Sequence, residues 1–259
     1  MMLDNPIANR FSVAASRYKQ HDVLQRITAD YLCAMVDLQG TLLDVGAGPG
    51  TCFSLFDEVK HVVAVDIAHG MLSELSQRFN DYLPLCSDAQ ALGLQTASIN
   101  CIYSNLALQW CHNLPQAINE FHRVLQPGGE CALSMVAHGS LPELQALGFR
   151  INAFNTLTEI LATFQPRNVP ADTAIHWHVE HAQIDTVTLY FDDLRSLLYS
   201  IKGVGASLPS PLVYAGDDKP STTISKPAWR QRVALAETMR TDKGLPLTYH
   251  IAYIRAKRG

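Results

Sequence analysis

Residues 42–50, LLDVGAGPG, constrain the fold more than any other stretch of the chain. A short apolar run is followed by an acid and then by three glycines at alternate positions, Gly46, Gly48 and Gly50. This pattern predicts a buried strand that ends in a tight, ligand-binding turn, as in nucleotide-binding α/β folds. The dinucleotide fingerprint GxGxxG is not matched, because Thr51 stands where its third glycine would be.

Short apolar runs alternate with helically spaced segments over the first 137 residues. The strands are predicted at 41–45, 61–66, 82–86, 100–105 and 130–137. The helices before and between them are predicted at 12–37, 51–59, 68–80 and 114–125. Apolar strands separated by helices are typical of a parallel sheet covered on both faces, so an α/β fold is expected.

The rest of the chain is less regular. The sequence predicts one or two helices over 141–164, a strand over 176–191, helices over 192–206 and 227–240, a loop over 207–228 and a last strand over 246–258. We expect the irregular pieces to form a cap over the carboxyl edge of the sheet, where such folds bind ligands.

Length and composition exclude several classes of protein. The 259 residues, 47% of them apolar, suit one large core and a single domain. The formal charge of −4 disfavours nucleic-acid binding. No run approaches the roughly 20 apolar residues of a membrane span, and no signal peptide is evident, so we expect a cytoplasmic protein without membrane contact. The six scattered cysteines are expected to be reduced.

Acidic residues follow three successive predicted strands. Asp44 lies two residues before Gly46, Asp66 ends the second strand, and Asp88 follows the third. A carboxylate at Asp44 would repel a pyrophosphate and attract a cationic amino-acid tail. Asp66 can accept hydrogen bonds from both hydroxyls of a ribose, and Asp88 from an adenine amino group. The acids and glycines together predict a site for S-adenosylmethionine, with a ligand-free turn and an NAD site as the alternatives.

Four segments here resemble the successive motifs of class I S-adenosylmethionine-dependent methyltransferases: DVGAGPG, VDIAHGML, SDAQAL and FHRVLQPGGE. They cover about residues 40–137 and say nothing about the methyl acceptor. Further segments resemble the malonyl-(acyl-carrier protein) O-methyltransferases of biotin synthesis: RFSVAASRYKQHDVLQR (10–26), SNLALQWCHNL (104–114), LRSLLYSIKGVGA (194–206) and GLPLTYHIAYIRAKR. The match then spans most of the chain, with 138–190 and 207–240 poorly matched.

The resemblance implies a Rossmann-like class I methyltransferase fold, with a mostly parallel seven-stranded sheet, helices on both faces and a helical cap. It implies S-adenosylmethionine as cofactor, S-adenosylhomocysteine as product and an acyl carrier protein bearing malonyl as partner. The reaction implied is methylation of the free malonyl carboxylate, which hides a charge so that the chain can be elongated toward pimelate. Malonyl-CoA, another small acceptor and a non-catalytic binding domain are the alternatives. The resemblance also implies further cofactor contacts from Ala47, Ile67, Met71, Ala89, Asn105 and Leu106.

We divide the single methyltransferase domain, residues 1–259, into four parts. These are an N-terminal helical lid (1–38), a cofactor-binding core (39–137), a cap and acceptor region (138–245) and a final strand (246–259).

Methylation of a carboxylate needs no general base, because the nucleophile has a reference pKa near ~4 and is already ionised. Orientation and removal of water are therefore expected to carry catalysis. Tyr18 is predicted to lie in the lid over the methyl group, with ordinary helix packing as its alternative. Asn105 and Gln109 are predicted to hydrogen-bond the cofactor or acceptor. Trp110 is predicted to line the acceptor site, with a place in the hydrophobic core as its alternative.

Basic residues in the last third of the chain are candidates for the malonyl group or its carrier. Arg195 and Lys202 lie seven residues apart, about two helical turns, and either bind substrate or lie on a solvated helix face. Residues 226–243 hold five basic and two acidic side chains, a second candidate docking surface. HWHVEH (176–181) lacks further ligands at zinc spacing, so no metal site is expected.

Overall fold

One seven-stranded sheet organises the protein, for which a computed structural model describes residues 5–165, 176–206 and 225–259. The strands lie in the order β3-β2-β1-β4-β5-β7-β6. They are β1 (Gly40–Val45), β2 (Val59–Asp66), β3 (Leu83–Cys86), β4 (Ile99–Asn105), β5 (Leu125–Val136), β6 (Trp177–Phe191) and β7 (Leu245–Arg258). Strands β1 to β5 are parallel, and β7 runs antiparallel to both β5 and β6. The prediction of a mostly parallel seven-stranded sheet is confirmed.

Helices cover both faces of this sheet. They are α1 (Pro6–Ala14), α2 (Val23–Ala34), α3 (His69–Arg78), α4 (Leu114–Val124), α5 (Pro142–Ala146), α6 (Leu157–Ala162), α7 (Leu194–Gly203) and α8 (Lys226–Glu237), with a 3₁₀ segment at Ala15–Gln20. Helix α4 shows why they form where they do. The side chain of Asn113 accepts from the backbone N–H of Gln116 at its start, and Ile118 and Phe121, three residues apart, are fully buried.

The core is split by the sheet into two apolar layers. Leu42 and Leu43 are adjacent in β1 and both fully buried, yet they point to opposite faces because side chains alternate along a strand. Leu42 packs in the layer that holds α2 and α7, and Leu43 packs in the layer that holds α4 and α6. Two helical layers therefore hold the carboxyl edge of the parallel strands rigidly in place.

The N-terminal segment differs from the prediction of one helix over 12–37. It is broken into α1, the 3₁₀ segment and α2, with His21 and Asp22 between the last two. Helix α1 packs on α3 where Gly70 has no side chain; a Cβ there would lie 2.8 Å from the Cα of Ser12. The breaks let the segment fold across the carboxyl edge of the sheet.

The helix predicted over 51–59 is wrong, because residues 51–58 form turns. The hydroxyl of Tyr82 accepts from the backbone N–H of Phe53 and donates to the carbonyl of Thr51. These bonds, together with the stacked rings of Phe53 and Tyr82, hold the segment in an irregular path.

Two short helices, α5 and α6, lie within the predicted 141–164 segment. The strand, the two helices and the last strand predicted after it are present as β6, α7, α8 and β7. Of the loop predicted over 207–228, residues 207–224 lie outside the described residues, and α8 already begins at Lys226. The helices in the described ranges include none that is both long and apolar enough to cross a membrane.

Candidate active site

The glycine turn after β1 lies at the carboxyl edge of the sheet. Gly46 and Gly48 have φ of +71° and +56°, a conformation that favours glycine. A Cβ on Gly46 would lie 2.1 Å from the Cβ of Ala107, whereas one on Gly48 would meet nothing within 4 Å. Gly46 is therefore required by packing, and Gly48 faces open space that a ligand can occupy.

Asp66 joins this turn to the next strand end. Its Oδ2 accepts from the backbone N–H of Gly48 at 2.9 Å, and its Oδ1 accepts from that of Ala68 at 2.7 Å. Burial raises the pKa of Asp66 to about 6, although these backbone bonds oppose the shift. Each carboxylate oxygen keeps one lone pair, so the group can still accept from two neighbouring hydroxyls.

Asp44 is the most unusual acid in the protein. Its side chain is 1% exposed, and its Oδ2 has no hydrogen-bond partner among the described residues. Burial, followed by the nearby charge of Asp66, raises its pKa to about 8. A buried carboxylate with an unpartnered oxygen is costly unless a cation or a hydrogen-bond donor reaches it, and an ammonium group on a ligand would supply both.

Asp88 and Asn105 are held by their neighbours. Both carboxylate oxygens of Asp88 accept from the side-chain amide of Gln90, at 3.0 and 3.1 Å. The Nδ2 of Asn105 donates to the carbonyl of Gln25, and its Oδ1 accepts from Ser134. Asn105 thereby ties α2 to the sheet, and the predicted contact with cofactor or acceptor would use its remaining N–H.

Most of the predicted cofactor-binding residues surround one cavity, which we call the inner cavity. Those that line it are Gly46, Gly48, Asp66, Ile67, Met71, Asp88, Ala89, Asn105 and Leu106. Asp44, Ala47 and Gly50 line a rear cavity behind the turn, which shares Tyr18, Gly46 and Asn105 with the inner one. These residues fit a ligand with a nucleoside at one end and a cationic group at the other.

A middle cavity adjoins the inner one beneath the N-terminal segment. The two share Phe11, Tyr18, Leu106 and Trp110. Trp110 packs edge-to-face on Phe11, 5.5 Å between ring centroids, so it forms part of this wall. Burial, with smaller effects from nearby carboxylates, raises the pKa of Tyr18 well above its usual value, and the phenol stays neutral near pH 7.

Gln109 lies in the wall of the middle cavity. Its Nε2 donates to the carbonyl of Leu106 at 2.7 Å, and its buried Oε1 has no partner in the described part of the chain. The predicted hydrogen bond to a ligand would therefore be made by this oxygen.

The predicted substrate-binding cations lie farther out. Arg195 is exposed and lines a fourth cavity, which we call the mouth. The mouth is formed by Gln20, His21, Val23, Leu189, Phe191, Asp193, Arg195, Ser196, Tyr199 and Ser200. Lys202 is exposed on α7 and is absent from the linings of the inner cavity, the middle cavity and the mouth. Within the described ranges no group of three or more His, Cys, Asp or Glu could hold a metal ion.

Sequence reasoning missed several residues of the middle cavity. Gln25, Asn152, Phe154 and Tyr249 come from three separate segments, and none of them was predicted as a site residue. One signal was available in LRSLLYSIKGVGA, where a Cβ on Gly203 would lie 2.1 Å from the ring of His21. This glycine marks where the N-terminal segment rests against the end of α7.

Two glycine substitutions are expected to differ in whether they mainly impair ligand binding or stability. Gly48→Ala should cost about 1–2 kcal/mol of stability through its left-handed backbone but should abolish ligand binding in the inner cavity. Gly46→Ala should destabilise the protein more, because its Cβ meets Ala107. Thermal unfolding with and without S-adenosylhomocysteine checks both. A ligand shift that survives in folded Gly48→Ala would contradict this assignment.

The site can now be compared with known proteins. A family model described as "Methyltransferase domain" matches residues 43–133, which hold the glycine turn and all three acids. The YcgJ protein from Bacillus subtilis has the same fold, with a TM-score of 0.57 and 16% identity over 89% of this chain and 98% of that one.

Curated relatives cover nearly the whole chain. Malonyl-(acyl-carrier protein) O-methyltransferase from Marinomonas sp. is 30% identical over 97% of this chain and 93% of its own length. The enzyme of the same name from Pseudescherichia vulneris is 36% identical over 78% of this chain and 79% of its own. The biotin biosynthesis bifunctional protein BioHC from Cellvibrio japonicus is 30% identical over 96% of this chain and 49% of its own. This chain therefore belongs to the malonyl-(acyl-carrier protein) O-methyltransferase family of S-adenosylmethionine-dependent methyltransferases.

Proposed function

We propose that the protein methylates the free carboxylate of a malonyl thioester carried by an acyl carrier protein, giving the methyl ester that primes pimeloyl synthesis for biotin. The observation that carries this proposal is the junction of the inner and middle cavities at Tyr18 and Trp110. A methyl donor in one cavity and an acceptor in the other would meet there. The names of the relatives supply the acceptor.

Each of the three acidic residues would bind a different part of the methyl donor. Asp66 would accept from the ribose hydroxyls, and Asp88 would face the adenine amino group. Asp44 would pair with the ammonium group of the methionine tail, which matches its buried, unpartnered oxygen. When bound, S-adenosylmethionine supplies a methyl group on a positively charged sulfur, ready for displacement.

The middle cavity suits a nucleophile that needs no base. A carboxylate is ionised at neutral pH, since its reference pKa is near ~4. Apolar side chains, among them Leu24, Val136 and Phe154, would exclude water from it, and no Arg or Lys appears in the lining that the structure describes. Neutral donors such as Tyr18 and Tyr249 could orient the carboxylate without quenching its charge. Orientation of this kind supplies roughly 7–11 kcal/mol in well-aligned reactions.

A cytoplasmic location completes the proposal. All six cysteines are free thiols, which fits a compartment in which disulfides are rare.

The test is transfer of labelled methyl from S-adenosylmethionine to malonyl carrier protein, with acetyl carrier protein as the control. We expect label on the malonyl form alone, released by mild base as an ester would be. Equal labelling of both forms, or label that resists base, would contradict carboxyl methylation. Malonyl-CoA in a parallel assay separates the carrier-bound acceptor from the free thioester.

A further inference from the structure

The mouth, the middle cavity and the inner cavity lie side by side, because each shares lining residues with the next. The mouth shares His21, Leu189 and Ser200 with the middle cavity. The middle cavity in turn meets the inner one at Tyr18 and Trp110. A long, thin ligand could therefore reach the donor from outside while its other end stays at the surface.

We propose that these adjoining cavities hold the pantetheine arm of the carrier protein, and that the carrier docks at the mouth against Arg195 and the 3₁₀ segment. The inference rests on the proposed function and adds where the carrier binds and how its arm enters. Of the two partners predicted for Arg195, the malonyl group and its carrier, it selects the carrier.

Two buried acceptors in the middle cavity match such an arm. The Oε1 atoms of Gln25 and Gln109 are buried and, within the described ranges, have no hydrogen-bond partner. The orientation of the Gln109 amide is fixed, because its Nε2 donates to Leu106. A carboxylate offers these oxygens no hydrogen, whereas each of the two amides of a pantetheine arm offers an N–H. Leaving a buried acceptor unpaired costs free energy, so an amide-bearing ligand is favoured here.

Charge is distributed unevenly between the core and the mouth. Residues 39–137 carry nine acidic side chains against three basic ones. Residues 5–34 carry four basic against two acidic, and α7 carries Arg195 and Lys202 with no acid. The 3₁₀ segment, whose last turn contains Arg17 and Lys19, packs against α7.

Arg195 lines the mouth, and Arg17 and Lys19 lie in the 3₁₀ segment that packs against α7, so an acidic carrier would meet positive charge as it approaches the mouth. Asp193 also lines the mouth, but its carboxylate is engaged in capping α7, where it accepts from the backbone N–H of Ser196 at 2.7 Å. The exposed Arg195 can pair with the phosphodiester at the base of the arm.

The docking test uses Arg195→Glu and Lys202→Glu, with Lys60→Glu as the matched control. Lys60 is equally basic and exposed, but it lies at the amino end of β2, on the edge of the sheet remote from the mouth. We expect Arg195→Glu to weaken binding of unacylated holo-carrier protein about tenfold, with the control unchanged. KM for malonyl carrier protein should rise equally, while kcat and turnover of a malonyl-N-acetylcysteamine thioester should stay the same. The docking site would be overturned if all variants bound the carrier protein with equal affinity, or if turnover of the short thioester fell as much as turnover of malonyl carrier protein.

A second variant tests the path of the arm through the cavities. Ser200→Phe would narrow the passage between the mouth and the middle cavity. We expect it to lose methylation of malonyl carrier protein and malonyl-pantetheine while binding S-adenosylhomocysteine normally. Unchanged turnover would exclude this route. Binding of the unacylated carrier needs no methyl transfer, so the two proposals can fail separately. Carrier binding without methylation of the malonyl form would refute the proposed function alone. Methylation of malonyl carrier protein that is unaffected by Arg195→Glu would refute only the docking site.

Discussion

Replacing Asp44 by asparagine is expected to abolish cofactor binding while stabilising the ligand-free protein. Without a bound ligand, the buried carboxylate lowers the free energy of unfolding, because its Oδ2 has no partner in the described structure and Asp66 lies nearby. Asparagine removes that charge, and we expect a gain of about 1–3 kcal/mol near pH 8. It also removes the counter-charge for the ligand's ammonium group, and affinity for S-adenosylhomocysteine should fall about 100-fold or more.

The pH dependence of the wild type follows from the same group. The folded pKa of Asp44, about 8, lies above its value of about 3.9 in an unfolded chain. Between these values the folded state binds the extra proton, so stability falls as pH rises from about 4 to about 8 and then levels off. Asp44→Asn should flatten this decline. Over the upper part of the same range, affinity for the ligand should rise, because the ionised carboxylate is the form that pairs with an ammonium.

Thermal unfolding and titration calorimetry across this pH range check both effects, with the exposed Asp81→Asn as the control variant. Undiminished ligand affinity in Asp44→Asn would show that the carboxylate does not hold the cofactor.

Replacing Tyr18 by alanine is expected to lower kcat about 100-fold, because the side chain lines the inner, middle and rear cavities at once. Without it, water would enter and the two reactants would lose their alignment. Tyr18→Phe keeps the wall but loses a neutral hydroxyl, and we expect a loss of about tenfold.

Measuring the rate of methyl transfer and the binding of S-adenosylhomocysteine separates alignment from affinity. Tyr31→Ala is the control, because Tyr31 is absent from the linings of the inner, middle and rear cavities. A loss in Tyr18→Ala confined to ligand affinity, at unchanged kcat, would contradict a role in alignment.

That the predicted residues would gather around the inner cavity could be predicted from the sequence, because the signals for it are local. Gly46, Gly48 and Asp66 come directly after strands, and carboxyl ends of parallel strands meet at one edge of the sheet. Their hydrogen bonding follows from that placement, since the Gly48 N–H reaches Asp66 across neighbouring strands. The same argument placed Asp88 and Asn105 beside the inner cavity.

The linings of the middle cavity and the mouth could not be predicted in this way, because they form through contacts between distant segments of the chain. The direction that Arg195 faces is set by how α7 packs on β6, β7 and the 3₁₀ segment, and helical spacing alone carries no such information. Gln25 and Tyr249 converge on one cavity from opposite ends of the chain. The wrong helix over 51–59 has a similar origin, because Tyr82, some 30 residues away, supplies the hydrogen bonds that replace helical ones.

The strand order in the sheet has a consequence for biosynthesis. β7 is the last strand in the described chain, yet it lies between β5 and β6 and pairs with both. While a ribosome is still translating residues 245–258, the five parallel strands can assemble, but β5 presents an unpaired edge and β6 has no neighbour in the sheet. Native stability is therefore acquired only after β7 emerges, and until then the nascent chain exposes an aggregation-prone strand edge to the chaperones around it.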